Sequence, residues 1–198
     1  MKSGQLFTFG LLSISISAAS SLSLAQAANA TDAFPKAYDA TYENKTAQGI
    51  TKMHMLSNGK GQMRTECAGP GGMNVITITD FANQTTGTIM EAQKMIVKGK
   101  FSKDTASVMD EAEAKKLKAT NLGTKMVNGH MAQGWSYKTK DGTTEIWTDK
   151  DLQVTVKQIT NAAGYKSEMN IKSLSANPPA TTSYKLPTTG YTVLANQK

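Results

Sequence analysis

Residues 123–154 read GTKMVNGHMAQGWSYKTKDGTTEIWTDKDLQV, three runs in which apolar and polar side chains alternate, separated by Asn128-Gly129 and Asp141-Gly142. Alternation with a period of two marks a strand with one dry and one wet side, and Asn-Gly or Asp-Gly supplies the positive φ that a two-residue hairpin loop demands. The segment therefore predicts three antiparallel strands. With Asp141-Gly142 as a two-residue loop, Tyr137 falls opposite Ile146 and Lys138 opposite Glu145, an apolar pair on one side and an ion pair on the other. The same count about Asn128-Gly129 sets Met126 opposite Met131. Parity along the shared strand then gathers Met126, Met131, Trp135, Tyr137 and Ile146 on a single apolar side.

Toward the C-terminus, Leu152, Val154 and Val156 alternate with Gln153 and Thr155. Tyr165, Met169 and Ile171 then alternate with Lys166, Glu168, Asn170 and Lys172, so two more strands have one wet side. Toward the N-terminus, strands are expected near residues 38–43, 50–56, 61–67, 75–81, 85–91 and 95–101, with a third turn signal at Asn58-Gly59. Residues 104–119 (DTASVMDEAEAKKLKA) break the pattern. Asp104, Thr105 or Ser107 can cap, acids come early and lysines late, and Gly123 lies beyond, which predicts a helix. Its apolar positions Val108, Met109, Ala112 and Leu117 form only a narrow stripe, so docking on the sheet must supply most of its stability. Asn177-Pro178-Pro179 marks a surface linker before a last short strand around residues 190–194. The expected class is mainly β with one helix.

The opening residues are of another kind. Lys2 gives a positive start, residues 6–19 (LFTFGLLSISISAA) are uncharged and largely apolar, and small residues dominate up to AQAANA. This is the pattern of a secretory signal peptide cleaved after Ala27 or Ala30; an anchor helix would need about 20 apolar residues. No cysteine follows the run, which excludes lipid attachment there. The expected organisation is residues 1–30 as signal peptide and 31–198 as one domain, periplasmic or secreted, with no integral membrane segment after cleavage.

The 198 residues carry 22 Lys plus Arg against 15 Asp plus Glu, with 39% apolar and 7% aromatic residues, which rules out an acidic disordered tail or a polytopic membrane protein. One cysteine, Cys67, cannot build a disulfide framework, and two histidines without a cysteine cluster leave no zinc site of ordinary ligand count. Arg64 is the single arginine. Base reading and bidentate phosphate recognition favour arginine, so nucleic acid is not an expected partner and the lysines serve solubility or attraction to anionic surfaces.

No G-x-S-x-G, H-E-x-x-H or nucleotide fingerprint is present, and an enzyme is not expected. The loop AGPGGMN (residues 68–74) lacks the Gly-Lys-Ser/Thr ending of a phosphate loop and reads as a turn. Met53-His54-Met55, with His130-Met131, invites a copper site, but an extended run sends Met53 and Met55 to one face and His54 to the other. No metal and no cofactor are expected. Cys67 reads as a small hydrophobe. Asp110, Glu111 and Glu113 sit in the early turns of the helix, where they favour its dipole.

The segments YDATYENK (38–45), GKGQMRTE (59–66), the 123–154 run and YKLPTTGY (184–191), in that order, resemble an uncharacterised family of exported bacterial proteins related to the lipoprotein-localisation carriers. The resemblance implies a curved, incomplete antiparallel barrel, LolA-like, with helix packed against its concave side. In related sequences a cysteine often follows Gly-His, whereas this chain reads Gly129-His130-Met131-Ala132. Two functions are expected of such a chain. One is a soluble carrier, read as a monomer, holding a lipid, an acyl chain or a lipidated partner segment. Its cavity would be lined by Met126, Met131, Trp135, Tyr137, Ile146, Val154, Val156, Met169 and Ile171. The other is an interaction or sensing module whose interior is filled by its own helix and whose edge strands or lysines bind another protein.

Overall fold

The computed structural model describes residues 36–68, 74–100, 111–180 and 182–195. The predicted signal peptide, the helix-capping residues Asp104, Thr105 and Ser107, and most of the 68–74 loop lie outside the described residues. Twelve strands and one short helix follow in chain order: β1 (Ala37–Thr46), β2 (Gly49–Asn58), β3 (Gln62–Ala68), β4 (Asn74–Asp80), β5 (Thr85–Met90), β6 (Met95–Lys100), α1 (Glu111–Lys116), β7 (Thr120–Val127), β8 (His130–Lys138), β9 (Gly142–Asp149), β10 (Thr155–Ala162), β11 (Tyr165–Ser175) and β12 (Thr192–Ala195). All twelve strands join one curved open sheet in the order β12-β6-β5-β4-β3-β2-β1-β11-β10-β9-β8-β7. Two meanders, β1–β6 and β7–β11, become one sheet because β11 returns to pair with β1 along most of its length. The expected mainly β class is what the chain forms, with one helix among the described residues.

Four particulars differ from the sequence reading. Of the three turn dipeptides, only Asn128-Gly129 closes a two-residue loop, with φ of 51° and 84° and Val127 paired to His130. Asp141-Gly142 instead belongs to a longer connection: Lys138 pairs with Thr143, Tyr137 with Thr144, Ser136 with Glu145 and Trp135 with Ile146. The expected Lys138–Glu145 and Tyr137–Ile146 pairs are thus offset by two residues, which leaves every side chain on its expected face. The physical reason is Gly142 itself. A Cβ there would lie 1.9 Å from the Asn161 carbonyl oxygen, so this glycine serves the close approach of β9 to the β10–β11 turn rather than a positive φ. At Asn58-Gly59 the strands are joined by a wider loop in which Asn58 Oδ1 accepts from the backbone N–H of Lys60 (2.8 Å) and Gln62 (3.1 Å). Leu152, Gln153 and Val154 fall in the β9–β10 connection rather than in β10, and β12 joins β6 in parallel.

The register divides the sheet into two unlike faces. Side chains alternate along each strand and paired residues share a side, so the rows can be followed across the sheet. One row runs Asn121, Trp135, Ile146, Gln158, Met169 and Asn44, and its face continues through Tyr42, Met53, Cys67 and Val75. No strand residue on that face carries charge. Every Asp, Glu, Lys, Arg and His of the strands falls on the other face, among them the pairs Lys172–Glu43 (2.9 Å) and Lys157–Glu168 (3.1 Å). The uncharged face supplies most of the central core, including Tyr38, Ala40, Tyr42, Met53, Met169 and Ile171.

The charged face is crossed near its β3–β6 side by the segment after β11. Arg64 Nη1 donates to the Ser183 carbonyl (3.2 Å), and Leu186 lies against Gly87, where a Cβ would come within 2.5 Å of it. Leu186 and Tyr191 thereby cover Ile78, Ile89 and Ile96. The Tyr191 hydroxyl donates to Glu91 (2.6 Å), and the Lys94 ammonium sits 5.3 Å from the Tyr191 ring centre. The hydrogen bond from Tyr191, aided by Lys94, holds the Glu91 carboxyl below the usual glutamate range. A lowered folded-state pKa means that the contribution is present above the ordinary glutamate value and is lost as pH falls through the lowered one. Protection of the β12 amides against hydrogen exchange, corrected for the intrinsic rate, is therefore expected to fall on acidification from about pH 6 to about pH 3. In Tyr191→Phe that pH dependence should shrink; a pH dependence equal to wild type would remove Glu91 from the account.

Candidate functional site

On the uncharged face, the β8–β9 pairing sets Trp135 beside Ile146 and Tyr137 beside Thr144. The helix reaches them through Ala114, whose single methyl lets its backbone come close, and Ala119 donates back to the Ala114 carbonyl (2.7 Å) as the chain turns into β7. Glu111 and Glu113 occupy the first turn of α1 and Lys115 and Lys116 the last, each favourable to the dipole. Burial and the neighbouring Glu113 raise the Tyr137 phenol, against a hydrogen bond with Thr144.

Two buried polar atoms here have no partner among the described residues. The Trp135 side chain is 8% exposed and its indole N–H meets no acceptor, and the Thr148 hydroxyl is likewise unpaired. Thr148 pairs with Gln133, one row along from Trp135–Ile146, so the two orphans are diagonal neighbours across β8 and β9, about 7–8 Å apart at Cα. A third, Asn44 Oδ1, ends the row of Trp135 four strands away, about 19 Å at normal strand spacing.

The nine residues expected to line a cavity separate into three groups. Trp135, Tyr137 and Ile146 meet under α1. Met126 and Met131 are paired as expected but stand 59% and 48% exposed at the hairpin end. They are divided from Trp135 by hydrogen bonds of Gln133 with Thr124 (3.0 Å) and Asn121 (2.7 Å). Val154, Val156, Met169 and Ile171 are buried in the central core. Of these four, Met169 and Ile171 keep the face of Trp135 by register, while Val156 is the extra residue of a bulge opposite Trp147. The sequence reading passed over Trp147, which is 2% exposed on the charged face. Its ring lies over Gly134 with Lys125 Nζ 3.9 Å from its centre, and its N–H donates to Glu145 (2.5 Å). The glycine directly across the strand pair was the readable signal. Thr148 and Asn44 carried none, being polar residues in strands full of threonine.

The charged face holds an open groove of about 520 Å³ along β1–β4, lined by Glu43, Lys52, His54, Glu66, Asn74 and Lys172 among others. Its charges are largely matched: His54 Nε2 bonds Asp39 (2.7 Å), Arg64 bonds Glu66 (2.6 Å) and Lys172 bonds Glu43. By register Met53 and Met55 fall on the uncharged face and His54 on the charged one, so the Met53-His54-Met55 run is split between faces. Among the described residues no group of three or more His, Cys, Asp or Glu could hold a metal ion. Cys67 is partly buried, and burial pushes its thiol up, away from the reactive thiolate. Among the described residues no helix is long and apolar enough to cross a membrane.

A family model described as Domain of unknown function (DUF4412) matches residues 39–176. No curated protein matches the chain significantly. An uncharacterized conserved protein from Thermus thermophilus has a similar structure, with a TM-score of 0.61 and 10% identity over 82% of this chain and 91% of that one. A chain of the Pseudomonas aeruginosa MucA/MucB complex follows at 0.50 and 14% identity, over 77% of this chain and 56% of that one. These two likenesses concern the fold alone. A LolA superfamily protein from Nitrosomonas europaea also matches, at a TM-score of 0.38 and 8% identity over 73% of this chain and 88% of that one.

Proposed function

Because the chain belongs to the family described as Domain of unknown function (DUF4412), which names no activity, we propose a function from the surfaces of the sheet: an exported carrier that holds an apolar molecule on the uncharged face, beside α1. The molecule is a lipid, an acyl chain or a lipidated segment of a partner. No bond is made or broken; withdrawal of methylenes from water, about 0.8 kcal/mol each, is the mechanism. One observation carries the reading. A face that spans the whole sheet without a single charged strand residue contains, beneath α1, an indole N–H buried without an acceptor among the described residues. A protein that only needed a filled core would gain about 1–3 kcal/mol by pairing or removing that group. The exposed Met126–Met131 pair, flexible and polarisable, continues the same face beyond the Gln133 row and offers adaptable apolar surface there.

A second reading is favoured by β7. It is a sheet edge, every residue of it but Val127 is exposed, and its peptide groups on the outer side are open to another strand. On that reading the protein binds a partner chain and no small molecule.

Organic extraction and mass spectrometry of protein purified from its native compartment separates the two. The carrier reading expects a released lipid at near-equal molar ratio, reduced several-fold in Met131→Lys, whose exposed position leaves folding intact. Release of nothing, with no uptake of added lipid, would leave the strand-edge reading in its place.

A further inference from the structure

The polar atoms at the site say what kind of apolar molecule fits. Resting on the carrier reading above, we infer that the ligand is uncharged and bears a carbonyl oxygen, an acyl ester or amide rather than a free fatty acid or a plain hydrocarbon. The Trp135 indole N–H and the Thr148 hydroxyl are the groups that select it.

The indole nitrogen is a donor only, so its missing partner must be an acceptor, and a hydrocarbon offers none. The Thr148 hydroxyl, a diagonal neighbour on the same face, is a second donor, and a carbonyl oxygen has two lone pairs to receive both. A carboxylate would also accept, but it would enter a face on which no strand places a cation. The cations nearest in sequence on α1 are Lys115 and Lys116, of which Lys116 is 72% exposed and paired with Glu113 (3.2 Å). A buried carboxylate without a cationic partner is strongly disfavoured, and Glu113 beside Tyr137 adds a like charge. What remains is a neutral oxygen acceptor on an apolar body.

Three probes built on a twelve-carbon chain test this: methyl laurate, laurate and dodecane, each titrated at neutral pH into the full mature protein while its two indole N–H resonances are followed. Methyl laurate is expected to bind at least about tenfold tighter than either other probe, and the Trp135 resonance to move downfield with it while Trp147, already bonded to Glu145, stays. Trp135→Phe keeps an aromatic ring and removes the donor; it should weaken methyl laurate by about five- to tenfold and leave dodecane unchanged. Thr148→Val should act in the same direction, which guards against a folding defect in one variant. Laurate binding as tightly as its ester, or ester preference surviving in both variants, would overturn the inference while leaving a carrier. Failure of all three probes to bind would instead remove the carrier reading and the inference with it.

Discussion

Gly142→Ala should lose about 3 kcal/mol or more of stability in urea unfolding, and the same change at Gly129 about 1 kcal/mol. Both glycines follow an Asn or Asp between strands, and by sequence they look alike. Their surroundings are opposite. At Gly129 a Cβ would meet nothing within 4 Å, so alanine there is penalised only for holding φ at +84°. At Gly142 the added carbon would meet the Asn161 carbonyl oxygen at 1.9 Å and the Ala162 Cα at 2.7 Å, both backbone atoms of the β10–β11 hairpin end. Backbone cannot swing aside as a side chain can, so β9 must part from β10 where Gly142 pairs with Ala162. Equal losses at the two glycines would show that the approach of β9 to β10 is slack.

Trp147→Ala should be the most damaging truncation in the second meander, at about 3–5 kcal/mol. The ring fills the space that Gly134 leaves, packs with Val127, Ala132 and Val156 in the central core, and holds the Lys125 ammonium over its face. Alanine would leave a void with a glycine as its floor. A loss under about 1 kcal/mol, measured against Trp147→Phe as the milder control, would mean that Trp147 contributes little to the central core.

These two residues also show what could be read in advance. The strands were legible because alternation is local: each run reports its own wet and dry sides, and the proposed lining residues were placed in strands or at their starts on that basis. Parity held for Met126, Met131, Trp135, Tyr137 and Ile146 even though the Asp141-Gly142 loop is longer than expected, since an offset of two restores each face. It failed at Val156, where one extra residue between Thr155 and Lys157 changes the count. The parallel docking of β12 was not legible, because what draws it is Leu186 meeting Gly87 across roughly a hundred residues of chain. At the site, the aromatic and aliphatic members could be gathered from periodicity. Thr148 and Asn44 could not, because nothing in a threonine or an asparagine announces that its polar atom will be buried without a partner.

The most direct test of the carrier reading is quenching by a brominated acyl methyl ester in proteins that retain one tryptophan each. Bromine quenches an indole only at near contact. Strong, saturable quenching is expected in Trp147→Phe, where Trp135 is the reporter, and little in Trp135→Phe, where Trp147 reports from the charged face. Equal quenching of the two, or none of Trp135, would contradict a ligand seated beside α1.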